Sequence, residues 1–352
     1  MHILADITHP AHVHFFKNAI ALWRRAGHKV TITTRGKDIT LTLLDNLGLA
    51  YTHLGPASVG LSGLARELPV RDCKLARVIL REKPDVLVAI GGVFIAHAGF
   101  LTRTPSVVFY DTENARLQNL ITYPLSTLVV TPDCYEAWAP KKKNIRYAGY
   151  HELAYCHPLR FTPDPAVLSL FGLKEGERFI VVRLVSWGAT HDVLDKGVTD
   201  AEMAVGRLSD FGKVLITSER PLPGALEKHR ITASPELVHH LLYYADLFIG
   251  ESATMASESA CLGTPAVFVS TSVRGYTNEQ GRRYGITFTY SDPDTGEAEA
   301  LKKAEEILAD PEGKKKWREK SAAMLRDKID VTDFMVNLIT ERFDPARRGG
   351  KR

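Results

Sequence analysis

Residues 245–269 read ADLFIGESATMASESACLGTPAVFV. An apolar run ends at Gly250, small and hydroxylic residues follow, and a stretch of small residues reaches Leu262 before Gly263 and Pro265 stop it ahead of a second apolar run. The pattern predicts a strand, a tight turn, a helix and another strand, which is the repeating unit of a parallel sheet. The turn puts Ser252 and Thr254 at a helix N-terminus, where free N–H groups and the positive end of the dipole favour an anion such as a diphosphate. Glu258 follows one turn beyond Thr254 on the same helix face, and a carboxylate there can accept hydrogen bonds from two ribose hydroxyls. The plain alternative is that Ser252 only caps the helix and Glu258 is a solvated surface residue.

Outward from this segment, short β-branched runs alternate with longer amphipathic stretches along the whole chain. The first half predicts strands near 2–7, 28–34, 50–53, 85–90, 105–109, 127–131 and 144–147. Helices are expected between them near 12–26, 38–47, 61–82, 93–102, 113–123 and 133–138. Residues 148–165, AGYHELAYCHPLRFTPDP, show neither period and read as a connection. A second series predicts strands near 178–183, 213–217, 246–249, 265–269 and 286–289. Its helices fall near 199–210, 221–229, 235–244, 253–262, 277–284, 297–309 and 313–328, with a last one near 331–342. The expected fold class is α/β, with two doubly wound, Rossmann-like domains facing a central cleft. They are an N-terminal domain over 1–150, a connection over 151–165, a C-terminal domain over 166–330, and a helix with a basic tail over 331–352.

Composition agrees with this class. A chain of 352 residues is long enough for two domains, and 45% hydrophobic with 24% charged residues is ordinary globular usage. The formal net charge is +4, but the last twelve residues hold five basic and two acidic groups, which leaves +1 for the rest. So even a balance argues against a nucleic-acid partner, which needs a clustered field of Lys and Arg. Cys73, Cys134, Cys156 and Cys261 form no paired motif, the chain opens on the strand-like HILADI, and no stretch is long and apolar enough to span a membrane. The expected location is the cytoplasm.

The 245–269 segment resembles the donor-nucleotide motif of GT-B enzymes. Ser252, Ala253, Thr254 and Glu258 stand where UDP-N-acetylglucosamine 2-epimerases carry a Ser-Gly-Gly…Glu signature that holds the diphosphate and the ribose. Here Ala253 and Thr254 replace both glycines, so the backbone approach is tighter and the Thr254 hydroxyl can take part instead. With GYHELAYCHP and RLVSWGATHD included, the whole chain resembles a GT-B-like family known as a domain of unknown function.

Further motifs fall at predicted strand ends. DITHPAHVHFF (6–16) opens the first helix where GT-B glycosyltransferases keep a Gly-rich turn followed by a His, and His12 corresponds to that His. A neutral imidazole there suits a general base for an acceptor hydroxyl, and His9 is a candidate acceptor or sugar contact. His12 and His14 are spaced i, i+2 and do not face each other on a helix, which argues against a metal. VVRLVSWGATHD (181–192) brings Arg183 and His191, with Asp192, to the second sheet as candidate diphosphate contacts. FYDTENARLQN (109–119) sets Asp111 and Glu113 after a buried strand as acid/base candidates or helix caps. In 2-epimerases the corresponding strand end carries a catalytic Glu, and the preceding one a Gly-Asp where this chain has Gly91-Gly92. TSVRGYTNEQ offers Arg274, Asn278 and Glu279 to a sugar. Asp292-Pro293-Asp294 formally matches a metal-binding DxD, although its setting is that of a turn. GKKKWREK and the Arg-rich tail are basic enough either to touch anionic lipid or to be a solvated face.

These observations lead to an expectation of a metal-independent GT-B glycosyltransferase using a nucleotide-diphosphate sugar, with no cofactor, serving cell-surface glycan or glycolipid synthesis. Its partners would be the donor, a glycan or lipid-linked acceptor and, through the basic tail, the inner membrane surface. The alternatives are a 2-epimerase of nucleotide sugars and a non-catalytic nucleotide-sugar-binding protein.

Overall fold

The structure is a computed structural model that describes residues 1–37, 39–57, 60–174, 176–184, 200–218, 221–272 and 274–348, with only the backbone for 60–62, 64–66 and 348. The chain divides into two compact units, one of Met1–Tyr155 with Ile329–Arg352 and the other of Cys156–Lys328.

The first unit is built on β1 (His2–Ile7), β2 (Lys29–Gly36), β3 (Thr52–Pro56), β4 (Val86–Ile90), β5 (Ser106–Phe109), β6 (Leu128–Pro132) and β7 (Asn144–Tyr147). They form one sheet in the order β3-β2-β1-β4-β5-β6-β7, and every pairing is parallel. Its helices are α1 (Pro10–Arg25), α2 (Thr40–Asn46), α3 (Gly60–Glu82), α4 (Val93–Thr102), α5 (Arg116–Thr122) and α6 (Leu153–Cys156). A parallel sheet is covered on both faces, which is why HILADI, SVVF and LVVTP are buried along their whole length instead of alternating. From α1, Phe15 and Phe16 pack edge-on onto Phe109 of β5 and join Trp23 in the core.

Buried charge is compensated inside this unit. Asp6 on β1 receives a two-point bond from Arg71 of α3 at 2.7 and 3.1 Å and a third from Thr33 of β2 at 2.7 Å. Arg71 also lies over the Phe94 ring, 4.2 Å from its centroid.

The second unit has β8 (Phe179–Leu184), β9 (Lys213–Ser218), β10 (Leu247–Gly250), β11 (Ala266–Val269) and β12 (Thr287–Tyr290), again all parallel, in the order β12-β11-β10-β8-β9. Its helices are α7 (Ala201–Ser209), α8 (Val238–Tyr244), α9 (Ala253–Cys261), α10 (Gly275–Tyr284), α11 (Gly296–Ala309) and α12 (Gly313–Asp327). The last long helix, α13 (Val331–Phe343), belongs to the first unit and packs on α1. Ile329 N–H bonds Ala148 O, and the Ala154 carbonyl accepts from both Thr332 Oγ1 and Asn18 Nδ2.

Three expected elements differ. Residues 133–138 form turns instead of a helix: the stretch is confined between Pro132 and Pro140, and Arg146 bonds the carbonyls of Asp133 and Tyr135. Of the helix expected over 221–229 only a short 3-10 turn at Glu227–His229 exists, because Pro221, Pro223 and Gly224 interrupt it. The third strand starts later than 50 and runs to Pro56, tolerated there because β3 is an edge strand.

Replacement Arg71→Met is expected to lower the unfolding free energy by about 3–5 kcal/mol, since Asp6 would keep its charge with only Thr33 as partner. Adding Asp6→Leu should recover most of that loss. Urea midpoints of the three proteins check it, and a single variant as stable as the parent would show that the pair contributes nothing.

Candidate functional site

In open parallel sheets ligands gather at the carboxyl ends of the strands, at the point where strand order reverses. In the second unit that point lies between β8 and β10. Gly250, the last residue of β10, pairs with Arg183 of β8, and its φ of +156° suits glycine. A Cβ at Gly250 would run into the Arg183 backbone. Glu251 N–H bonds Arg183 O at 3.1 Å, which carries the turn into α9.

Ser252 is the N-cap of α9, its Oγ accepting from Met255 N–H at 3.3 Å. The capping role is therefore real, and it leaves Ser252, Ala253 and Thr254 half-buried at the helix start beside the β8 end. Arg183 reaches the end of β9, where Nη1 lies 3.5 Å from Thr217 Oγ1. Glu258 is not a surface residue. It is buried, and its Oε1 lies 3.0 Å from Nε2 of His239 on α8, itself buried. Among the proposed donor contacts, Ser252, Ala253, Thr254 and Arg183 thus share one sheet end, and Glu258 sits one turn inside. His191 lies, with Asp192, outside the described residues.

Arg274 is the N-cap residue of α10 and Asn278 lies in its first turn, half-buried. Glu279 is held by Lys328 Nζ at 2.7 Å and by Arg283, so it serves the fold. Asp292 Oδ1 accepts from Asp294 and Thr295 N–H at 2.9 Å, the bonding of a turn, and these bonds hold its carboxyl below the usual range. In GKKKWREK the Trp317 ring is buried, while Lys314 and Arg318 bond the Tyr244, Tyr243 and Leu262 carbonyls, so these cations finish neighbouring helices.

In the first unit strand order reverses between β1 and β4. The loop after β1 carries His9, whose Nδ1 accepts from Ala11 N–H at 3.2 Å and caps α1. His12 Nδ1 lies 3.4 Å from both Thr8 N and Thr8 Oγ1. Burial is the largest cause holding His12 well below its ordinary 6.5, helped by the neighbouring charge of His9 and opposed by Asp111. His12 is therefore neutral at pH 7.

Asp111, after β5, is engaged by a residue that sequence reasoning left in the connection. His151 Nδ1 donates to Asp111 Oδ2 at 2.9 Å, and its buried Nε2 has no hydrogen-bond partner among the described residues. Phe15 and Tyr147 flank the ring, with centroids 4.6 and 6.4 Å away. Burial on its own would raise the Asp111 carboxyl, but the charge and bond of His151, with Thr112, carry it below its usual range. Asp111 is thus a held anion and a poor free base. Glu113 stands 3.5 Å from Glu136 N–H, and neither acid caps α5, whose N-cap residue is Ala115.

Gly91 and Gly92 both have positive φ and begin α4, and a Cβ at Gly92 would meet Val108. Among the described residues no group of three His, Cys, Asp or Glu is arranged to hold a metal.

The charge pattern around His12 is testable in the free protein. Asp111→Asn removes an anion that favours imidazolium, so the His12 titration should move still lower. His9→Gln removes the neighbouring imidazole that opposes imidazolium at His12 and should move it up. Histidine ¹⁵N chemical shifts followed against pH report both, and opposite signs would overturn the arrangement.

The fold recurs in proteins of distant sequence. A UDP-N-acetylglucosamine 2-epimerase from Neisseria meningitidis, solved bound to UDP-N-acetylglucosamine, matches 97% of this chain and 100% of its own at 12% identity and a TM-score of 0.68. The glycosyltransferase SsfS6 of Streptomyces sp. SF2575 matches 96% of this chain and 99% of its own at 14% identity and a TM-score of 0.59. The architecture is therefore GT-B-like, as the 245–269 motif implied. An uncharacterized protein of Methanocaldococcus jannaschii is 25% identical over 279 residues, 74% of this chain and 80% of its own. The model of the family described as "Protein of unknown function (DUF354)" matches residues 1–284, and the chain belongs to that family.

Proposed function

We propose that the protein is a glycosyltransferase that takes a nucleotide-diphosphate sugar as donor and needs no metal. The observation that carries this reading is the placement of His12 after β1 and Asp111 after β5, at strand ends of the first unit, where burial favours the neutral imidazole and the 2.9 Å bond from His151 favours the ionised carboxylate. A neutral base and a fixed anion suit removal of a proton from an acceptor hydroxyl, because the imidazolium that forms is stabilised by the anion. The acceptor oxygen bonds to the anomeric carbon, the bond from that carbon to the diphosphate breaks, and the acceptor proton passes to His12. Thr8 N–H donates to His12 Nδ1 at 3.4 Å, so acceptance at Nε2 requires the imidazole to exchange that bond for the tautomer in which Nδ1–H is directed to Thr8 Oγ1. Thr254 and the α9 N-terminus, with Arg183, would meet the diphosphate, and Glu258, oriented by His239, would meet the ribose. Arg274, Asn278 and His9 are the nearest candidates for sugar or acceptor hydroxyls. A glycan or lipid-linked acceptor in polysaccharide or glycolipid synthesis fits the chemistry.

The second reading is a 2-epimerase, for which Nε2 of buried His151, without a hydrogen-bond partner among the described residues, offers a second acid/base group. Against it, the Gly91-Gly92 strand end holds no carboxylate and Asp111 is already bonded. Incubation with UDP-, GDP-, CMP- and dTDP-sugars separates the readings. Epimer formed without acceptor favours the epimerase, transfer or slow hydrolysis favours the transferase, and binding without turnover favours a non-catalytic binder.

Two further outcomes are expected. Ser252→Ala and Glu258→Ala should each weaken nucleotide affinity by about 1–2 kcal/mol in calorimetry. Unchanged affinity in the double variant would remove the donor assignment. His12→Asn should lower kcat by roughly 10²–10⁴-fold with donor affinity intact. Because the His12 pKa is depressed, the base stays available in mildly acidic buffer, so the acidic limb of the rate profile should lie below pH 6.5.

A further inference from the structure

Helix α5 is turned inside out. Its polar residues other than Arg116 face the protein: Asn119 is buried and donates to Tyr135 Oη, Thr122 is buried, and Gln118 lies against Gly91. Its apolar residues, Leu117, Leu120 and Ile121, stand at i, i+3 and i+4 and face outward, with Leu117 77% exposed. The neighbouring end of α4 continues this surface through Phe100 and Leu101, the latter 69% exposed. The two helices are tied together where His97 of α4 meets the Ile121 carbonyl at 3.2 Å and Asp72 of α3 at 2.8 Å. Beyond α5, Trp138 is 69% exposed, with its ring 5.9 Å from Tyr123. Nearly half of the large hydrophobic side chains that the described residues expose are gathered on this one face.

An apolar face of this extent on a soluble surface marks an interaction site, and its rim says which kind. Arg103 ends α4, Arg116 begins α5, and Lys141 and Lys142 follow Trp138; all four are exposed. Lys143, next to them, is fixed to the Pro124 and Ser126 carbonyls. The residues of α4 and α5 include no acid, and the acids nearest the patch in sequence are Glu113 and Glu136. Aromatic and aliphatic side chains bordered by the four cations Arg103, Arg116, Lys141 and Lys142, against the two carboxylates of Glu113 and Glu136, match the acyl boundary and the anionic headgroups of a bilayer. A protein partner would be expected to meet a rim of mixed sign. We propose that the α4–α5–Trp138 face of the first unit docks peripherally on an anionic lipid membrane. This surface is separate in sequence from the basic tail, and the proposal does not depend on the glycosyltransferase reading.

The test is co-sedimentation of the full chain with phosphatidylcholine vesicles, with and without phosphatidylglycerol, beside analytical ultracentrifugation of the protein alone. Binding is expected only to the anionic vesicles and should weaken as salt is raised. It should fall about tenfold or more in Leu117→Ser/Leu120→Ser/Trp138→Ser and in Lys141→Glu/Lys142→Glu, both on exposed positions and both checked for an unchanged melting temperature. Truncation after Asp344 should leave it in place. Absence of binding, equal binding to neutral vesicles, or loss on truncation alone would overturn the proposal. So would a dimer that the serine variant converts to a monomer, because the face would then belong to a second copy of the chain.

Discussion

The second unit is organised by one backbone contact, the approach of Gly250 to Arg183. Neighbouring parallel strands normally leave room for a Cβ, and here there is none, so only glycine lets β10 finish against β8 in this register. The next N–H then bonds the Arg183 carbonyl, and the chain turns directly into α9. Consequently a guanidinium, the free amides of a helix start and two hydroxyl side chains share one strand end. Without that approach Arg183 and Ser252 would still exist, but nothing would hold them in register. The reversal of strand order adds the second half of the constraint, because it leaves the crevice between β8 and β10 free of a covering crossover.

The first unit uses charge where the second uses close packing. Asp6 is fully enclosed and carries three bonds, so it fixes α3 on β1 and β2 without being available for chemistry. Asp111 is enclosed less completely and is bonded by His151, while His12 feels its field. Two carboxylates at the same sheet edge thus have different roles, set by how many donors each has. The difference follows from elements: Arg71 comes from a long helix packed along the sheet, whereas His151 comes from the short segment after β7.

Much of this was legible in sequence because parallel strands read as unbroken apolar runs. β1 and β7 lie where their residues predict, and the segment 245–269 folds as its glycines and proline require. The doubtful elements were short ones. Residues 133–138, between Pro132 and Pro140, have a helical period but cannot meet the cost of a helix nucleus, and carbonyls that Arg146 captures settle them as turns. Spacing put Glu258 one turn after Thr254, yet spacing cannot say that α8 lies over it with His239 in reach. His151 escaped notice for a similar reason: its partner Asp111 is distant in sequence, and only the adjacency of β5, β6 and β7 brings the two together.

Helix α5 shows how far one element's polarity can carry both kinds of information. A helix that packs on a core puts its apolar stripe inward, and Leu117, Leu120 and Ile121 at helical spacing would be read that way from sequence. The inner side of α5, however, meets a cluster of buried hydroxyls, where Tyr123 and Tyr135 bond each other at 3.0 Å and Asn119 adds a third partner. Those groups would be left unsatisfied against leucines, a larger penalty than exposing an aliphatic stripe that another surface can cover. The polar lining beside Asp111 and Gly91 therefore dictates the orientation of α5, and the outward leucines follow from it. Polar lining and apolar surface are two faces of the same seven residues, so substitutions that redesign one face must preserve the hydrogen bonds of the other.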